Sequence, residues 1–68
     1  MSKYHPSVQH VLNFFVYAHL PDHLQAVSKP FAILAEEVAD RNSDSPETTV
    51  CLRKLLEAKD AAVRATLK

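Results

Sequence analysis

Four histidines, at positions 5, 10, 19 and 23, are the first residues of this sequence to suggest chemistry. Neutral imidazole is a common metal ligand, and two histidines four positions apart on one helix can share a metal ion. His19 and His23 have that spacing, but Pro21 lies between them and interrupts the helix that would align them. No acidic residue or cysteine completes a ligand set. We therefore expect no metal site, and we expect His19 to serve a turn or to contact a ligand.

Nucleophilic catalysis is a second chemistry to consider, because the chain holds one cysteine, Cys51, and several serines. Such a nucleophile needs a general base beside it and donors for the developing negative charge, commonly from a glycine-rich turn. The sequence contains no glycine and shows no triad pattern. Cys51 is expected to be a buried structural thiol inside a helix. These features predict a protein that is not an enzyme and that has no cofactor.

Tyr17 and Lys29 suggest the binding of a small nucleotide. A tyrosine ring stacks on a nucleobase with a free energy of about 1 to 3 kcal/mol, and a lysine offers a point charge to a phosphate. Each residue also has an ordinary alternative, Tyr17 in a core or an interface and Lys29 as a surface charge. The formal net charge is zero, which predicts no general attraction to duplex nucleic acid or to an anionic membrane. A net charge of zero is still compatible with a local pocket of positive charge.

Helices are the elements that must position these side chains. The lack of glycine disfavours tight hairpin turns, and prolines at positions 6, 21, 30 and 46 divide the chain into segments. The first helix is predicted to start with Pro6 in its first turn and to end at the Leu20-Pro21 break. Its apolar residues at helical spacing are Val8, Val11, Leu12 and Phe15.

The second helix is predicted to run from an N-cap at Asp22 to about Asn42. At Pro30 it either kinks or gives way to a new helix capped by Ser28, and we prefer one kinked, nearly continuous helix. Its predicted apolar stripe is Phe31, Leu34, Ala35 and Val38.

The third helix is predicted to begin at Pro46, with Asp44 or Ser45 as its cap. Its apolar side is formed by Leu52, Leu55, Leu56, Val63 and Leu67. The fold class is therefore all-α, with a short N-terminal helix packed on an antiparallel two-helix hairpin. Residues 1–68 are predicted to form a single domain.

More apolar surface is present than one such hairpin can cover. A chain of 68 residues buries only about 60% of the surface that its unfolded form exposes. Val16, Ile33 and one of Phe14 or Tyr17 remain outside the predicted stripes. We therefore expect a homo-oligomer in which these side chains meet a neighbouring subunit.

Three segments resemble a known family: HPSVQHVLNFFVYAHLP, HLQAVSKPFAILAEEVA and TTVCLRKLLEAKDAAVRATL. The chain is similar, from about His5 to Leu67, to the small helical-hairpin proteins of bacteriophages that include anti-CBASS and anti-Thoeris cyclic-nucleotide sponges. The most specific pieces are Phe15-Val16-Tyr17 followed by the Pro21 break, and the run EAKDAAVR from Glu57 to Arg64.

The resemblance implies a hexamer that captures cyclic oligonucleotide messengers, cyclic dinucleotides or trinucleotides, and binds them intact. It implies that Tyr17 stacks on a base and that Lys29 holds a phosphate, although the segment AHLPDHLQAVS between them differs in length and composition from the better-known sponges. It also implies that basic positions of the third helix take part in binding, namely Arg53, Lys59 and Arg64. Which of the three contacts ligand rather than another protomer stays open.

A protein of another class fits the same sequence, a structural or adaptor helical oligomer that mediates protein contacts without binding nucleotide. In that alternative, all the aromatic rings lie in interfaces. The start MSKYHPSVQH lacks the apolar region of a signal peptide, and no apolar run has the length of a membrane span. We expect a soluble protein in the cytoplasm of the bacterial host, without a membrane partner.

Overall fold

Helices account for the regular structure in the computed structural model, which describes residues 4–42 and 44–67. Helix α1 spans Pro6–Leu12 and continues as a 3₁₀ turn over Asn13–Phe15, α2 spans Asp22–Arg41, and α3 spans Pro46–Leu67. No strand occurs within those two ranges. The all-helical prediction is confirmed.

Helix α1 is shorter than its sequence predicts. It was expected to reach the Leu20-Pro21 break, but it ends at Leu12, and Val16 has an extended backbone with φ −63° and ψ 132°. The chain then turns between Tyr17 and Leu20, where the Leu20 N–H donates a 3.0 Å hydrogen bond to the Tyr17 carbonyl oxygen. The chain needs several residues to change direction before α2 begins at Asp22. Tyr17 therefore lies in a turn rather than in a helix.

Helix α2 runs without a break through Pro30. This agrees with the continuous helix preferred on the sequence, while the kink itself stays a prediction. The predicted N-cap was wrong by one position, because Pro21 is the capping residue and Asp22 opens the first turn. The Asp22 carboxylate lies at the positive end of the helix, where negative charge is favourable.

The core face of α2 is rotated by one residue from the predicted stripe. Its buried apolar side chains are Leu24, Ala32, Ala35 and Ala39. Leu34, which the sequence placed in the core, is 46% exposed, whereas Phe31 and Val38 are partly buried at the edges of the core. Alanines on this face let α1 and α3 approach α2 closely, and close packing decides which apolar side is covered.

Helix α3 completes the core and sets the length of the molecule. Its 22 residues extend about 33 Å at 1.5 Å per residue, close to the longest dimension of 36 Å. Leu52 is fully buried against α1 residues Val8 and Val11 and the α2 alanines. The predicted cap at Ser45 is observed, since its Oγ accepts a 3.1 Å hydrogen bond from the Glu47 N–H.

Apolar side chains remain uncovered on this protomer. Phe14, Val16 and Ile33 are exposed by 54%, 57% and 49%, while Tyr17 is partly buried. Of the two rings that the sequence left as alternatives, Phe14 is thus the outer one. Further large exposed apolar residues are Leu34, Val50 and Leu67. Whether a second chain covers them stays a prediction.

Two other findings concern the surface. Cys51, expected to be buried, is an exposed free thiol. It lies next to Leu52 on α3, and because successive helical positions point in different directions, Leu52 faces the core while Cys51 faces solvent. Within the described ranges, no helix is long and apolar enough to cross a lipid bilayer.

Candidate functional site

The segment from Phe14 to Leu20 carries the aromatic residues on which the sequence interpretation depends, and side chains from two helices hold it in place. Gln25 on α2 donates from Nε2 to the Leu20 carbonyl oxygen at 2.8 Å and to the Ala18 carbonyl oxygen at 3.3 Å. Lys59 on α3 donates from Nζ to the Phe14 carbonyl oxygen at 3.2 Å. The segment is therefore tied to the protein on both sides of Tyr17.

The side chains of this segment differ in exposure over four positions. Phe15 is buried in the core, whereas its neighbours Phe14 and Val16 are each more than half exposed. The Phe14 ring makes an edge contact with His10, with ring centroids 5.5 Å apart. Tyr17 packs at the edge of the core and keeps part of its surface accessible. A ring held in this way can stack on a flat ligand or pack against a second chain.

Lys59 is engaged within the protomer. Its side chain is only 15% exposed, and its ammonium lies 3.2 Å from Oδ1 of Asp60 in addition to its contact with the Phe14 carbonyl. The sequence pointed to only one of the two residues that hold this segment, Gln25 and Lys59. The family resemblance singled out Lys59, but no sequence signal marked Gln25 as a residue that fixes the turn.

The other predicted binding residues lie on different elements of the fold. His19 is exposed within the turn after Tyr17, Lys29 is exposed on α2, and Arg64 is exposed near the end of α3. Arg53 precedes Lys59 by six positions on α3, about 9 Å along the helix axis. The predicted site residues thus come from the turn after the 3₁₀ segment and from both long helices.

The surface has one cavity beside the 3₁₀ turn and another at the start of α3. One of about 230 Å³ lies between α1 with its 3₁₀ turn and α2, and its lining includes Gln9, Asn13, Val16 and Glu36. The other, of about 340 Å³, lies at the start of α3, where Arg53 contributes with His5, Ser7 and Thr49. Tyr17 lines neither of these two cavities. Arg53 is the predicted site residue that lies in one.

Metal-ligating side chains do not cluster in the part of the chain that the structure describes: no group of three or more His, Cys, Asp or Glu residues is placed to hold an ion. His5 instead accepts at Nδ1 a 3.2 Å hydrogen bond from the Ser7 N–H at the start of α1. No protein-family model, curated protein or solved structure matches the chain.

Proposed function

We propose that the protein is a non-catalytic sponge for cyclic oligonucleotide second messengers, cyclic dinucleotides or trinucleotides, and that by sequestering them it blocks CBASS-type antiphage immunity in the cytoplasm of the bacterial host. The protomer, an antiparallel hairpin with the first helix across it, assembles into a hexamer. Tyr17 stacks on a base. Lys29 lies near a phosphate, and His19 or a third-helix cation such as Arg53, Lys59 or Arg64 completes the positive charge.

The observation that supports this proposal most is the exposure of Phe14 and Val16 directly before Tyr17. An apolar pair of this kind favours contact with a second chain. Tyr17 then lies at the edge of that contact, held by its turn and partly accessible. Because a two-fold interface presents each residue twice, it offers two rings and two sets of cations to a symmetric ligand.

The ligand's chemistry follows from the same arrangement. A cyclic dinucleotide carries two bases and two phosphates, so each protomer of a facing pair meets one base and one phosphate. Stacking on a base is worth about 1 to 3 kcal/mol, and a second copy of the site adds to it. Because the formal net charge is zero, binding depends on the local placement of Lys29 and the other proposed cations.

Calorimetric titration with a panel of cyclic dinucleotides and trinucleotides tests the proposal. We expect saturable binding of at least one cyclic dinucleotide at one ligand per two chains, and no comparable binding of the linear dinucleotide with the same bases. If no member of the panel binds, the sponge function is wrong.

A structural or adaptor oligomer is the second candidate, and a specific observation favours it. Ile33, Leu34, Val50 and Leu67 are also exposed, and none of them belongs to the segment around Tyr17. They suit protein contacts that have no need of a nucleotide. An assembly of defined size that binds none of the panel would support this candidate.

A further inference from the structure

The Phe14 carbonyl is a backbone group at which the chain leaves its helical path. In a continued helix it would accept a hydrogen bond from the N–H four residues ahead, but the extended backbone of Val16 prevents this. Lys59 reaches it from α3, 45 positions away in sequence, at 3.2 Å. A cation beside the carbonyls at a helix end is favourable because those groups carry partial negative charge.

The ammonium of Lys59 is fixed by a second contact. Two of its three N–H bonds are accounted for by the Phe14 carbonyl oxygen and by Oδ1 of Asp60, each at 3.2 Å. With its side chain 15% exposed, Lys59 differs from Lys29 and Arg64, which are exposed. One N–H of the ammonium is left, and a side chain exposed by only 15% gives it little access to a phosphate in solvent.

The backbone between Phe14 and Leu20 is thus held at its two ends. Lys59 holds the Phe14 end from α3, and Gln25 holds the Leu20 end from α2. Tyr17 lies between them, three residues from each end. Neither helix carries Tyr17, so its place relative to them depends on these two side chains as well as on the packing of Phe15 and of Tyr17 itself against the core.

We infer that Lys59 is a positioning residue, which fixes Tyr17 through the Phe14 carbonyl and does not itself contact the phosphate. The effect on ligand binding rests on the proposed sponge function, whereas the effect on the segment does not. Loss of the Lys59 donor lets the segment move and so lowers the fraction of protein in which Tyr17 is ready to stack. Ligand binding is then weaker only because Tyr17 is less often in the position for stacking.

A double-mutant cycle tests how Lys59 acts. Lys59→Met keeps the aliphatic stem and removes the donor, and we expect about tenfold weaker binding of a cyclic dinucleotide, as for coupled neighbouring groups. In a Tyr17→Ala background, the same change should weaken binding less than twofold. Equal losses in the two backgrounds would mean that Lys59 contacts the ligand directly, and would overturn the inference. Lys59→Arg, which keeps a cationic donor, should restore most of the affinity.

Amide hydrogen exchange tests the same inference without ligand. In Lys59→Met we expect faster exchange in the segment 15–20 and unchanged exchange in the centres of α2 and α3. Lys54→Met, at an exposed lysine of the same helix, is the control and should leave the segment unchanged. Unchanged exchange at 15–20, or an increase spread evenly over all helices, would overturn the positioning role. If the parent binds no cyclic nucleotide, the proposed function fails, and this measurement still decides the role of Lys59.

Discussion

The Tyr4 hydroxyl donates a 2.6 Å hydrogen bond to Oδ1 of Asp40, 36 positions away. Tyr4 precedes α1 and Asp40 lies in the last turn of α2, so this bond links the start of the described chain to the far end of the second helix. Tyr4 also packs against the core. The contact joins the residues just before α1 to α2.

Removing that hydroxyl should lower stability by a modest amount. We expect Tyr4→Phe to reduce the free energy of unfolding by about 1 kcal/mol, the typical net value of one hydrogen bond. Urea unfolding followed by circular dichroism measures it. Tyr17→Phe is the matched control, because the Tyr17 hydroxyl donates to no described residue, and it should change stability little. Equal effects of the two changes would contradict this prediction.

Two buried hydroxyls should respond to substitution with opposite signs. Ser28 is 2% exposed and its Oγ has no hydrogen-bond partner among the described residues, whereas Thr48, 6% exposed, donates from Oγ1 to the Asn42 carbonyl oxygen. An unpaired buried polar group costs about 1 to 3 kcal/mol. Ser28→Ala should therefore raise the unfolding midpoint in urea, and Thr48→Ser, which keeps the hydroxyl, should cost less than Thr48→Ala. A loss of stability in Ser28→Ala would mean that its hydroxyl is paired in solution.

Self-association should depend on the exposed apolar residues. Light scattering of the parent is expected to give six times the chain mass of 7.6 kDa. Val16→Glu or Ile33→Glu should shift the mass towards that of a single chain, since an unpaired charge in an interface costs several kcal/mol. Lys54→Glu is the control for added negative charge at an already polar, exposed position. A parent that stays at 7.6 kDa at micromolar concentration would rule out the oligomer.

Ligand binding should depend on Tyr17 and on Lys29 without a change in particle size. Tyr17→Ala should lose about 1 to 3 kcal/mol of binding free energy through stacking. Lys29→Ala should lose about 1.5 to 3 kcal/mol through a charged hydrogen bond to phosphate. Calorimetry with the best cyclic nucleotide of the panel measures both, with Lys54→Ala as the control. If both variants bind as the parent does, the sponge has a different site.

The captured nucleotide should be recovered unchanged. A sponge binds its ligand without changing it, so under the proposed function we expect heat denaturation of a preformed complex to release the intact cyclic nucleotide, as analysed by chromatography of the supernatant. Linear or hydrolysed products in amounts that grow with incubation time would reveal a catalytic site.

Local signals in the sequence determined the helical character and most of the helix boundaries. Pro46 and Ser45 set the start of α3, because a proline in the first turn and a hydroxyl cap act within a few residues. The surplus of apolar side chains was also visible in the sequence: Val16 and Ile33 are exposed as expected, and of Phe14 and Tyr17, which the sequence left as alternatives, Phe14 is the exposed one. Helix starts depend on neighbours along the chain, and the apolar surplus depends on composition and helical spacing, so both can be inferred without the fold.

Only the tertiary structure decided which side of α2 is buried and where α1 ends. Leu34 and Ala35 are adjacent in sequence, and the choice between them depends on how closely α1 and α3 can approach, which favours the smaller side chain. Tyr17 leaves the helix because the chain must turn towards α2. The Lys59 contact with Phe14 spans 45 positions and exists only when α3 packs beside the 3₁₀ turn. Helical periodicity predicts the faces of single helices, but packing among three helices determines which faces meet.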